Sequence, residues 1–339
     1  MRSSPLRAIG VVSAALLFPA ALAFGQTSSA AAKASPPSKA KSWTPPRTPD
    51  GHPDLQGIWT NSTLTPLERP REFSGKPILS DAEAAAYEKR VMVQGNRDRR
   101  DGGAEADVGR AYNELFFDHG DKLMRIDNTV RTGMIVDPPD GQIPALTEEA
   151  QKRAEAARTH ARMHPADGPE DRSLTERCIF WATAGPPMLP GPYNNTYQIY
   201  QTPGSVLIFS EMIHESRIIP LDGRPHSDPS IRKWTGDSIG HWEGDTLVVD
   251  TTNFTSKTRF RGSDQNLHVT ERFTRVAPDA ILYRFTIDDP TTFTKPWTAE
   301  LPLLSAPGPI YEYACHEGNY ALVDILSGAR ADEAKKTSK

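Results

Sequence analysis

The sequence GHWEGDTLVVD, residues 240–250, predicts two β-strands joined by a tight turn at Glu243-Gly244-Asp245. Similar short segments recur from residue 197 to residue 315, and turn residues such as Pro203-Gly204 separate them. The predicted strands are Tyr197–Gln201, Val206–Ile213, Arg217–Pro220, His241–Trp242, Thr246–Phe254, Leu267–Arg275, Ile281–Ile287, Trp297–Leu301 and Tyr311–Cys315. Because no helical pattern interrupts them, we expect a mainly β fold, an antiparallel β-barrel, with a β-sandwich as the alternative.

The charge balance excludes some classes of protein. The 339 residues contain 39 Lys and Arg against 43 Asp and Glu, a formal net charge of −4. A polybasic nucleic-acid binder is therefore excluded, and we expect no nucleic-acid partner.

The N-terminus has the order of a secretory signal peptide. In residues 1–23, Arg2 and Arg7 precede an apolar run that ends in Ala-Leu-Ala. Residues 24–54, which are largely Ser, Ala, Lys, Thr and Pro, predict a disordered leader, and residues 331–339 predict a disordered tail. We expect a secreted or periplasmic protein without stable membrane insertion, because the chain has no second apolar span.

The only two cysteines are Cys178 and Cys315. In an exported chain they predict one long-range disulfide, with two buried free thiols as the alternative.

Two helices are predicted ahead of the strand-rich half. Ser80 and Glu83 form a capping box before an Ala-rich run, and Thr147 opens a charged run that ends near His164. The sequence thus predicts a single barrel domain over residues 55–330 with a helical insertion at about residues 68–165.

Two resemblances support this organisation. Gly57-Ile58-Trp59 resembles the Gly-x-Trp signature on the first strand of lipocalin-like (calycin) barrels, which implies that Trp59 begins the barrel and that the insertion covers one mouth. The motifs RTPDGHPDLQGIW (47–59), GHWEGDTLVVDTTNF (240–254) and YACHEGNY (313–320) resemble a family of secreted soil-bacterial proteins, mostly of uncharacterised function. That resemblance implies export but no mechanism.

No standard catalytic signature occurs in the chain. It has no nucleophile elbow, no His-Glu-x-x-His motif, no phosphate loop and no dinucleotide fingerprint. The candidates are therefore the histidines, acids and arginines of the strand-rich half.

Glu271 is the first of these candidates. Alternation along its strand places Glu271 between Val269 and Phe273 on an apolar face and Arg272 on the opposite face. A carboxylate among apolar neighbours either forms a structural pair with an arginine or has a raised pKa suited to proton transfer.

The other candidates flank two turns. His241 and Trp242 place an imidazole beside a flat ring, as sites for polar molecules often require; alternatively, Trp242 belongs to the core and His241 to the surface. His214 is a candidate acid, base or metal ligand, and Arg217 and Arg272 are candidate anion stabilisers. The histidine spacing matches no ligand signature, so we expect no cofactor, with a metal as the alternative.

These residues favour a secreted or periplasmic enzyme that performs cofactor-free acid/base chemistry on a small polar or aromatic molecule, as a lyase, isomerase or hydrolase. His214, His241 and Glu271 would transfer protons, Arg217 and Arg272 would stabilise negative charge, and Trp242 would stack on the substrate. The alternatives are a non-catalytic lipocalin-like protein that binds a small molecule and a structural envelope component.

Overall fold

The structure is a computed structural model that describes residues 43–110, 113–258 and 260–337. The predicted signal peptide, residues 24–42 of the predicted leader and the last two residues of the predicted tail lie outside these ranges.

The described residues form thirteen strands and four α-helices. The strands are β1 Gly57–Thr60, β2 Ile78–Leu79, β3 Arg125–Ile126, β4 Thr129–Arg131, β5 Ile135–Asp137, β6 Thr196–Thr202, β7 Ser205–Ser210, β8 Ser216–Pro220, β9 Asp237–Glu243, β10 Thr246–Thr252, β11 His268–Ala277, β12 Ala280–Asp288 and β13 Trp297–Ser305. The helices are α1 Asp81–Gly95, α2 Gly103–Gly109, α3 Glu148–Met163 and α4 Ala321–Thr337. Single 3-10 turns lie at Arg71–Phe73, Glu114–Phe116, Pro169–Asp171, Ala182–Ala184 and Met212–His214.

Nine strands form one antiparallel sheet in the order β8-β7-β6-β1-β13-β12-β11-β10-β9, and β5 adds a short pairing to β13. The sheet curls until its edge strands approach each other. A Cβ placed on Gly240 of β9 would lie 2.8 Å from a methyl carbon of Ile219 on β8, so only glycine permits this approach. The predicted β-barrel is confirmed as a nearly closed, barrel-like antiparallel sheet.

Residues that alternate along the strands form one continuous core. Its largest fully buried side chains include Trp59, Tyr197, Phe273, Tyr283, Phe285 and Trp297. Trp59 lies on the first strand, donates its indole N–H to the carbonyl of Leu55 at 3.0 Å, and has the Arg275 guanidinium over its ring. The barrel interior is therefore filled by bulky side chains.

The two predicted helices are present with their predicted caps. Ser80 and Glu83 form a reciprocal capping box at the start of α1, and the Thr147 hydroxyl accepts the N–H of Ala150 at 3.1 Å at the start of α3. The insertion is not helical throughout, because it also contains the small sheet β2-β4-β3.

The structure differs from the predicted secondary structure at three places. The predicted strand Val206–Ile213 ends at Ser210, because Ile213 and His214 adopt left-handed backbone conformations. The predicted strand Tyr311–Cys315 is irregular, since it forms no ladder with a neighbouring strand of the described sheet. Residues 331–337 of the predicted tail continue α4.

Candidate functional site

The barrel interior holds a buried ion pair. Arg217 on β8 donates to both carboxylate oxygens of Glu271 on β11, over 2.5 Å to Oε2 and 3.0 Å to Oε1. Tyr283 donates to Oε1 over 2.8 Å, and its own oxygen accepts the N–H of Met188. Burial, together with the charge of Glu271, raises the pKa of Tyr283 well above its usual range, so the phenol stays a donor. Glu271 is 0% exposed, so it holds a structural pair and does not face a site open to solvent.

His241 and Arg272 lie on the outer face of the same sheet. In the sheet, Val248 of β10 lies directly opposite His241 on one side and Arg272 on the other, so these residues share a face. Glu271 lies opposite Val249, which points into the barrel. Glu243 accepts from Arg272 over 2.6 Å and lies 3.1 Å from Nε2 of His241. These hydrogen bonds lower the pKa of Glu243, that from Arg272 most strongly. The predicted combination of Glu271 with His241 and Arg272 in one pocket is therefore wrong, since the sheet separates them.

Trp242 does not stand beside His241 in a pocket either. Its side chain packs partly buried against the barrel core and stacks on the ring of His52, with centroids 4.7 Å apart and planes 5° apart. Successive residues of β9 point to opposite faces, which separates Trp242 from His241. Trp242 thus covers part of the core.

His214 lines an open cavity on the outer wall of the barrel. We name this cavity, of about 800 Å³, the disulfide cleft. Its floor is a cross-strand row of Ile58, Gln198 and Phe209. Its other wall is the segment Pro309–Glu317, which the disulfide holds through Cys315. A cavity of this size is within the range of small-molecule sites.

Unusual backbone conformations surround the disulfide cleft. Ile213 and His214 have φ values of 58° and 46°, and Cys178 of the disulfide has φ of 53°. A left-handed conformation is rare for a β-branched residue such as Ile213. Surrounding packing has to impose it, and Ile213 is indeed buried in a cluster with Cys178. The turn that presents His214 is therefore held by tertiary contacts.

The hydrogen bond of His214 defines what its ring can do. Nδ1 lies 3.3 Å from the backbone oxygen of Tyr313, and a carbonyl oxygen only accepts, so Nδ1 carries the proton in this bond. Nε2 of the neutral ring is then an acceptor, and no hydrogen-bond partner occupies it within the described residues. The geometry is that of a base with an available lone pair.

Further titratable side chains line the disulfide cleft. They are Glu312, His316, Glu317, Tyr311 and Tyr313. These residues were not predicted as site residues, although the YACHEGNY motif contains three of them. The sequence predicts a strand over Tyr311–Cys315, and only the path of the folded chain brings this segment against β6 and β7.

A second group of titratable side chains lies on the outer wall. Asp250 accepts from His226 at 2.8 Å and from Nε2 of His268 at 2.5 Å, and Asp237 lies 3.2 Å from the other nitrogen of His226. The bond to Asp250 raises the pKa of His268. Within residues 43–110, 113–258 and 260–337, no group of three or more His, Cys, Asp or Glu side chains is arranged to hold a metal ion.

Cys178 and Cys315 form the predicted disulfide, across 137 residues of sequence. No helix in the described part of the chain is long and apolar enough to cross a membrane.

Comparisons of the chain with protein-family models, with curated protein sequences and with solved structures found no match.

Proposed function

We propose that this protein is a secreted or periplasmic enzyme that performs cofactor-free acid/base chemistry on a small polar or aromatic molecule in the disulfide cleft. The observation that carries the proposal is the orientation of His214. Its Nδ1–H is committed to the Tyr313 carbonyl, and its Nε2 lone pair has no partner among the described residues. His214 is the proton-transfer group of this proposal.

The surroundings of His214 support this role. Phe209 and Tyr311 offer apolar surface for an aromatic substrate, and His316 supplies a second titratable group in the same cleft. In the proposed reaction, Nε2 of His214 takes a proton from the substrate, and His316 returns one to the leaving or rearranged group. The enzyme would be a lyase, an isomerase or a hydrolase.

The proposed compartment is consistent with the disulfide. A bond between Cys178 and Cys315 forms and persists in oxidising environments such as the periplasm or the exterior of the cell. The signal-peptide pattern of residues 1–23 supports the same proposal.

The test is metabolite profiling by mass spectrometry with the purified chain, lacking residues 1–23. The wild type is compared with His214→Gln and with His241→Gln, a matched variant of a histidine that does not line the disulfide cleft. We expect a compound that the wild type and His241→Gln consume and that His214→Gln consumes at least about a hundredfold more slowly, the usual contribution of a general base. Equal turnover by all three proteins would refute the role of His214.

A second candidate is non-catalytic binding of a small molecule in the same cleft. It is favoured by the apolar floor formed by Ile58 and Phe209. Because bulky side chains fill the barrel interior, such a ligand would bind on the outer wall of the barrel. A lipocalin, in contrast, holds its ligand inside the barrel. In this case profiling would find a compound retained unchanged, and His214→Gln would change only its affinity.

A further inference from the structure

A separate cavity lies where the insertion meets one mouth of the barrel. We name this space, of about 500 Å³, the mouth cavity. Its apolar surface is formed by Leu67, Met134 and Leu189 from the end of the barrel core, with Val91 of α1 and Phe117 beside them. It shares no residue with the disulfide cleft. Its size is within the range of small-ligand sites.

Two arginines line the mouth cavity without an acidic partner. Most arginines of the described residues contact a carboxylate or a backbone carbonyl, but the guanidinium groups of Arg97 and Arg261 do neither. The guanidinium carbon of Arg97 lies over the ring of Phe117, 5.1 Å from its centroid. Arg261 is exposed. Both charges are therefore available to an anion.

Glu114, which contacts the backbone of Arg97, forms no salt bridge with its guanidinium. Glu114 accepts the backbone N–H of Arg97 at 2.8 Å with one oxygen, and its other oxygen lies 3.0 Å from Nε2 of His119. Its two oxygens are thus engaged by groups other than the guanidinium of Arg97. An apolar surface next to uncompensated cations is complementary to a molecule with an apolar tail and a negative head.

We propose that the mouth cavity binds an amphipathic carboxylate. Its tail contacts Leu67, Met134 and Leu189, and its carboxylate faces Arg97 and Arg261. The guanidinium fork suits a carboxylate because it offers paired donors in one plane.

Isothermal titration calorimetry of the folded chain with decanoate tests this assignment, with acetate and decyltrimethylammonium as probes that lack the tail or reverse the charge. We expect saturable binding of one decanoate, and at least about tenfold weaker binding of the other two probes. Arg97→Gln and Arg261→Gln should each weaken decanoate binding about tenfold, the usual loss of a charge-assisted hydrogen bond. Arg71→Gln, a matched change at an exposed arginine outside the cavity, should leave it unchanged.

Val91→Trp places a larger side chain on α1 at the cavity wall and should abolish decanoate binding. Circular dichroism and thermal melting verify that each variant is folded. The assignment would be overturned by the absence of saturable decanoate binding to the wild type, by equal binding of decyltrimethylammonium, or by decanoate affinities that neither arginine variant changes.

Discussion

Replacing Glu271 by Gln should strongly destabilise the barrel. The variant keeps the size of the side chain and an oxygen that can accept from Tyr283, but it removes the charge opposite Arg217. Arg217 is 6% exposed, so its guanidinium would stay buried without a counter-ion. Breaking a buried pair in this way costs about 3–5 kcal/mol of unfolding free energy.

The contacts themselves support that magnitude. Glu271→Gln weakens two charge-assisted hydrogen bonds from Arg217, and each such bond contributes about 1.5–3 kcal/mol. The structure describes roughly 290 residues, and at about 2.1 cal/mol/K of unfolding entropy per residue a loss of about 3–5 kcal/mol should lower the melting temperature by roughly 5–8 °C. Glu243→Gln, which removes a half-exposed partner of Arg272 on the outer wall, is the matched control and should leave the melting temperature almost unchanged, because solvent screens this pair.

A double-mutant cycle separates the pair from its surroundings. Urea unfolding followed by tryptophan fluorescence is measured for Glu271→Gln, Arg217→Met and the double variant. Because the double variant buries neither charge, we expect it to lose less stability than the sum of the single changes, with a coupling of about 2 kcal/mol or more. Additive losses, or a loss below about 1 kcal/mol for Glu271→Gln, would refute the conclusion that this pair is sealed in the core.

Three further predictions concern other parts of the fold. Replacing Cys178 and Cys315 by Ser should lower the unfolding free energy by about 5 kcal/mol in the chain-entropy estimate for a loop closed over 137 residues, measured by urea unfolding; an unchanged midpoint would contradict it. Ser80→Ala removes the cap of α1 and should cost about 1 kcal/mol in the same assay, whereas Ser80→Thr, which retains the hydroxyl, should cost less. The raised pKa of His268 means that its bond to Asp250 stabilises the fold fully below the unfolded pKa of about 6.5 and loses this effect as the pH rises through the folded pKa. Asp250→Asn should therefore destabilise the protein more at about pH 5.5 than at about pH 8.5, and a pH-independent difference would refute this origin.

The core face of each strand could be predicted from local sequence. In β11, alternation alone placed Glu271 inside with Phe273 and placed Arg272 outside, and the structure has this arrangement. The capping box at Ser80 was equally local, because its two partners are three residues apart. Such features depend on backbone geometry within a few residues, which sequence patterns report directly.

The candidate site could not be predicted in the same way. The sequence predicts that the strand from Val206 continues to Ile213, because no glycine or asparagine marks the left-handed turn at Ile213 and His214. Burial of Ile213 in one cluster with Cys178 imposes that turn, and these two residues are 35 positions apart in the sequence. Local propensity contains no information about such a contact.

The sequence by itself therefore determined the strand-rich barrel, the inward and outward faces of its strands and the identity of the two cysteines that pair. Only the tertiary structure decided that Arg217 is the partner of Glu271, that His241 lies on the other side of the sheet, and that His214 faces the segment ending at Glu317. The physical reason is that alternation follows from the geometry of each strand, whereas the meeting of distant side chains depends on how the whole sheet curls and closes.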